Sequence, residues 1–106
     1  MSTASQTPVL DTLTAMTLES ITRCGLAPDT LVLTRIAALV ACDAPPASYL
    51  ANLDPALQAG LTAEQLQDVL VAIAPIVGTA RIMTAANNIA AALGVAIAVA
   101  DVEAQD

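Results

Sequence analysis

Apolar positions along this chain recur at spacings of three and four residues and nowhere in strict alternation, which is the period of a helix and not that of a strand. Thr7 and Pro8 open the first helix, with Thr7 as the cap and Pro8 at a first-turn position where a missing N–H costs nothing. Leu10, Leu13, Thr17, Ile21 and Cys24 then share one face, and Gly25 stops the run. A turn through Pro28 leads to Asp29 as the next candidate cap. The second helix bears Leu31, Leu33, Ile36, Leu39 and Val40 and ends at Pro45 and Pro46. A third segment spans Ala47 to Ala59, where Pro55 is expected to kink or split the helix, and Gly60 closes it.

Thr62-Ala-Glu-Gln65 reads as a capping box, in which hydroxyl and amide side chains satisfy each other's free N–H groups. Leu66, Val69, Leu70 and Ile73 form the apolar stripe behind it. Pro75 and Gly78 interrupt the pattern before a last helix from Thr79 to about Ala100. Alanine on all sides of that helix points to burial between close neighbours. The prediction is an all-α single domain over residues 1–106, a compact subunit of about five helices with ends at 1–6 and 101–106 that fray. There is no internal repeat and no long linker.

Composition adds a constraint. The 106 residues are 57% hydrophobic, with a mean hydropathy of +0.72, whereas a domain this small buries only about 60 to 70% of its unfolded surface. The surplus is expected at interfaces between subunits. The other destination would be a membrane, but Ile82 to Ala100 is rich in alanine and carries Asn87 and Asn88, which are costly in lipid. No export signal is read at Met1 to Pro8, which has neither a basic start nor an apolar run. No membrane partner is expected.

Charge and missing residue types narrow the chemistry. There is no histidine, lysine, tryptophan or phenylalanine, and Arg23, Arg35 and Arg81 face ten carboxylates, for a net charge of −7. Three cations cannot make the basic patch that nucleic acid requires, and neutral-pH acid/base catalysis loses its usual side chain. No cofactor and no metal site is expected. Cys24 and Cys42 are the two thiols. In an antiparallel hairpin they would lie about 20 Å apart, at about 1.5 Å per helical residue, too far for the roughly 7 Å between Cα atoms that a disulfide tolerates. Unpaired thiols fit a reducing, cytoplasmic setting.

The stretch Ala56-Leu-Gln-Ala-Gly60-Leu-Thr-Ala-Glu-Gln-Leu-Gln-Asp-Val-Leu70, followed by Gly78-Thr-Ala, resembles the second half of the carboxymuconolactone decarboxylase and alkylhydroperoxidase D-like family. Arg35-Ile-Ala-Ala-Leu-Val-Ala extends the resemblance, which covers roughly residues 29–93. It implies an all-helical subunit assembling as trimers or hexamers. The family's redox branch carries Cys-x-x-Cys with a histidine four residues beyond, and counting back from Ala59-Gly60 places Pro45, Ser48 and Asn52 at those positions. The glutamate that assists those thiols falls at Thr34 or Arg35. The decarboxylase branch also relies on histidine. The resemblance therefore implies a member with an altered active site, and no catalytic residue is assigned.

Arg35 and Arg81 sit among apolar neighbours, where a charge is costly unless paired. Their bland reading is an ion pair with Asp43, Asp54, Glu64 or Asp68, within or between subunits. Their functional reading is a guanidinium aimed at the carboxylate of a small acid. Tyr49 and Asn52 lie three apart on one helix face, and Asn88 with Asn87 occupies the last helix; such groups either satisfy one another or line a pocket. The candidate ligand-binding set is Arg35, Tyr49, Asn52, Arg81 and Asn88. Cys42 is the redox candidate, with a small core residue as its bland reading. Three functions stay open: a family member that binds or transforms a small, possibly anionic organic molecule; a non-enzymatic structural or accessory homo-oligomer; and a single-cysteine peroxidase acting through Cys42.

Overall fold

Prolines open three of the five helices, each at a first-turn position where the lost N–H would have had no helical partner. The computed structural model describes residues 5–105, with side chains described as far as Gly94. Its elements are α1 (Pro8–Arg23), α2 (Pro28–Ala41), α3 (Pro46–Gln58), α4 (Ala63–Val77) and α5 (Thr79–Gln105). Of the ends expected to fray, residues 1–4 and 106 lie outside the described residues, while residues 101–105 continue α5.

Local chemistry at the helix ends departs from expectation in three places. Thr7 occupies the cap of α1, but its hydroxyl donates to Asp11 Oδ1 at 3.2 Å and caps no backbone N–H. Asp29 is not the cap of α2. Ala27 holds that position and Pro28 already lies inside the helix, so Asp29 instead accepts from the Thr30 N–H at 2.8 Å in the first turn. Neither Pro55 nor Pro75 breaks its helix. Ala51 and Val71, four residues before them, are exposed, so water satisfies the carbonyls that the prolines leave unbonded. The capping box of α4 forms as expected: the Gln65 N–H donates to Thr62 Oγ1 at 3.1 Å, and the Thr62 N–H donates to Gln65 Oε1 at 2.8 Å.

Two helices end in the same double hydrogen bond. After α2, Ala44 N–H donates to Leu39 O and Asp43 N–H to Val40 O; after α3, Leu61 N–H donates to Ala56 O and Gly60 N–H to Leu57 O. This Schellman arrangement puts the residue after the cap in left-handed backbone. Gly60 adopts φ 84° without a Cβ penalty, whereas Asp43 holds φ 56° with one. Leu61 then folds back, buried, beside the buried Ala56.

The core is small and comes from four helices. Val32, Ile36 and Val40 form an i, i+4 stripe on α2; Tyr49, Leu53 and Ala56 do the same on α3; Leu61 and Leu66 enter from the start of α4, and Ala85, Ile89 and Ala92 from α5. Val69, Leu70 and Ile73 pack at its edge. Helix α3 packs most extensively on α5, and α2 touches α3, α4 and α5. The alanines at 85 and 92 permit close approach, while Ala80, Ala90 and Ala91 stay exposed. The predicted burial of α5 on all sides is thus one-sided within a single chain.

Helix α1 stands apart. None of its residues is buried, and it comes within backbone contact distance of no other helix. The apolar face read from its sequence remains open, with Leu10, Leu13 and Ile21 all exposed. The radius of gyration, 15.5 Å, exceeds the roughly 13 Å of a compact chain this long, because α1 stands off the body and the 27-residue α5 is about twice as long as its neighbours. Among the described residues, no helix is long and apolar enough to cross a membrane.

Arg81 ties the start of α5 to the end of α2. Its Nη1 donates to the Ala41 carbonyl, one of the last-turn acceptors of α2 that lack a helical partner. The negative end of the α2 dipole thus supplies the compensating charge that a cation in the first turn of α5 needs. Replacing Arg81 with alanine removes one charge-assisted hydrogen bond at an exposed site, worth about 1 kcal/mol, and is expected to lower Tm by about 4 °C. An unchanged melt would show that the tie carries no stability. Asp43→Gly is expected to act in the opposite direction, raising Tm by up to about 4 °C as the left-handed strain is released; a lower Tm would contradict this account of the turn.

Candidate functional site

Burial of the Val32, Ile36 and Val40 stripe fixes the rotation of α2. Arg35, Ala38 and Leu39 then fall on its flank, beside the stripe and opposite Asn52 of α3. Together with Thr17 of α1 these residues line a cleft of about 290 Å³. Arg35 is half-buried, and its Nη2 donates to Ser20 Oγ of α1 at 3.0 Å. This is its one protein hydrogen bond among the described residues. No carboxylate lies within ion-pair distance: the sole ion pair among the described residues is Arg23 with Glu19, at 2.8 Å on the exposed face of α1. The expected pairing of Arg35 and Arg81 with Asp43, Asp54, Glu64 or Asp68 therefore does not occur within the chain.

Asn52 is held by its own helix. Its Nδ2 donates to the Ser48 carbonyl at 2.9 Å, which orients the amide and leaves one N–H and the carbonyl oxygen for a ligand. The cleft accordingly joins a cation, an oriented amide and a hydroxyl to the apolar surface of Ala38 and Leu39. A carboxylate meets a guanidinium through two parallel hydrogen bonds, and Arg35 has the spare donors for that.

The other candidates from the sequence lie elsewhere. Tyr49 is among the largest fully buried side chains and belongs to the core. Burial first, and the Asp43 carboxylate second, push its phenol above the ordinary value of 10, so it stays neutral at physiological pH. Tyr49 and Asn52 share a helix but not a surrounding. Arg81 is occupied at the end of α2, and Asn88 is half-buried on α5 without lining the cleft. Cys42 is exposed at the C-cap of α2 and Cys24 is partly exposed, both as free thiols; the reading of Cys42 as a small core residue does not hold. Two turns of helix separate Cys42 from Arg35.

Thr17 and Ser20 were missed in the sequence. Thr17 was placed on the apolar face of α1, and nothing in the pattern of α1 announces which part of the body it stands beside. A second cavity of about 130 Å³ lies between α4 and α5, lined by Leu66, Leu70, Ile89 and Leu93 among others, with Gln67 as its one polar side chain and no charged group. Among the described residues, no group of three or more His, Cys, Asp or Glu side chains could hold a metal ion.

No curated protein and no solved structure matches this chain. A family-level comparison does, and its match runs over residues 7–92, adding α1 to the span of the resemblance seen in the sequence. With most of the chain matched and an all-helical architecture in place, the chain belongs to the carboxymuconolactone decarboxylase family.

Proposed function

We propose that this protein is a member of its family with an altered active site, which binds a small carboxylate-bearing organic molecule through Arg35. The observation that carries this reading is a half-buried guanidinium with no carboxylate partner among the described residues, facing a cleft with Asn52. Leaving such a charge uncompensated is costly, and a ligand anion removes the cost. The position of the cleft agrees: Asn52 stands where the family's redox branch has its histidine, and Arg35 at or beside its glutamate. Pro45 and Ser48 stand where that branch has thiols, so the dithiol chemistry is absent from this reading. Against a peroxidase acting through Cys42 stands the lack of any histidine to take its proton.

Assembly is the second part of the reading, and a specific observation favours it. Val9, Leu10, Leu13, Met16, Leu18 and Ile21 are 47 to 72% exposed along α1, and Val71, Ile76 and Met83 add exposed apolar surface on α4 and α5. A monomer rarely exposes so much contiguous apolar surface. Other copies of the chain would cover it, in a trimer or hexamer as the family resemblance implies. The free thiols and the lack of a spanning helix fit a cytoplasmic location.

Calorimetric titration with small carboxylic acids tests the ligand. Wild type and Arg81→Ala should bind alike, whereas Arg35→Ala should bind at least tenfold more weakly, the usual loss of a charge-assisted pair. Equal binding by Arg35→Ala would refute the assignment. Light scattering tests assembly: a mass three or six times that of the 10.7 kDa chain is expected at micromolar concentration, and a monomer at that concentration would contradict it.

A further inference from the structure

We infer that Thr17 and Ser20 of α1 are ligand-binding residues of the Arg35 cleft, and that the ligand they help select is a small monocarboxylate with an apolar body. The inference rests on the reading of Arg35 as an anion site. It extends that site to a helix whose backbone comes near no other helix.

Three observations converge. The first is the Arg35 Nη2 to Ser20 Oγ hydrogen bond at 3.0 Å, the one hydrogen bond between α1 and the four-helix body among the described residues. Because Arg35 donates, the Ser20 hydroxyl proton remains free to donate in turn. A carboxylate at the guanidinium can therefore receive a second hydrogen bond from the same serine.

The second is the hydroxyl of Thr17, one turn before Ser20 and lining the cleft. In a helix a threonine hydroxyl usually turns back to the carbonyl four residues earlier. Thr12, Thr22, Thr34 and Thr84 all do so, at 2.7 to 3.1 Å. Thr17 does not, and neither does Thr14, which is no part of the cleft. At the cleft the result is an uncommitted donor beside an uncommitted cation.

The third is the polarity of the space, a cleft open to solvent on one side. Ala38 and Leu39 give it an apolar wall, with Arg35, Thr17 and Asn52 as its polar residues. One cation matches one carboxylate. A dianion would leave a charge unpaired, and phosphate would leave the Leu39 side unfilled.

Benzoate is the probe, as one carboxylate on a flat apolar ring, with benzamide and inorganic phosphate for comparison. Titrations use the full chain and the Thr17→Val, Ser20→Ala and Thr17→Val/Ser20→Ala variants, whose changes fall on an exposed helix and leave the core untouched. Backbone hydrogen exchange of α1 is followed with and without benzoate. Benzoate is expected to bind the wild type better than benzamide or phosphate, to bind the double variant about tenfold more weakly, and to slow exchange around Thr17 to Arg23 in the wild type only. Wild-type affinity for benzoate in the double variant, combined with loss in Arg35→Ala, would overturn the role of α1 and leave Arg35 standing as the anion site. Tighter binding of phosphate than of benzoate would overturn the ligand class. No binding of either anion to the wild type would overturn both this inference and the reading beneath it.

Discussion

The burial of three residues on one helix governs the rest of this structure. Val32, Ile36 and Val40 repeat every fourth position, and because all three face the core, α2 has one permitted rotation. Every neighbouring position is then assigned. Leu31, Leu33 and Leu39 flank the core half-buried, Thr34 faces solvent, and Arg35 is left on the border between the two. The same rotation carries the last turn of α2 to Arg81, whose guanidinium takes up the Ala41 carbonyl. One arginine thus serves a helix end, and the other is held at a cleft without an anion among the described residues.

This division of labour explains how so few cations can matter in so acidic a chain. Ten carboxylates surround three arginines, yet the one ion pair among the described residues is the exposed Arg23–Glu19 contact, worth a few tenths of a kcal/mol. The acidic side chains are mostly exposed and keep the surface hydrated. On the proposed reading, Pro45, Ser48 and Asn52 stand where the resemblance places the family's thiols and histidine, and Arg35 serves to bind and position an anion rather than to support dithiol chemistry.

Much of the fold was legible in the sequence, because helix starts and stops have local causes. Pro8 at a first turn, the Thr62–Gln65 box and Gly60 act within four residues of themselves, and all three perform as read, whereas Pro28 and Pro46, read as lying outside their helices, open α2 and α3. The failures have physical reasons as well. Pro55 and Pro75 looked like breaks, but their unbonded carbonyls face water and the core face of each helix is intact. Asp29 looked like a cap until Pro28 entered the helix ahead of it. Arg35 stands out in the sequence, with Arg81, as a charge among apolar neighbours, and Asn52 through its spacing from Tyr49. That Arg35 and Asn52 share a cleft is set by how α2 packs on α3, and the depth of Tyr49's burial cannot be read from spacing. Arg81 found a backbone carbonyl, a partner that no side-chain pattern advertises. Thr17 and Ser20 depend on where α1 stands, and that is set by tertiary geometry. The open apolar face of α1 is the part of its pattern that one chain leaves unanswered.

Arginine side chains offer a direct view of the central claim, that Arg35 alone among the three is poised for a carboxylate. Each arginine gives a separate Nε–Hε signal in nitrogen-edited NMR, and a chain with only three of them allows complete assignment by substitution. During a benzoate titration the account predicts a saturable shift of the Arg35 signal, while Arg23, paired with Glu19, and Arg81, tied to Ala41, stay in place. A titration in which Arg35 does not move, or in which all three signals drift together without saturation, would contradict it.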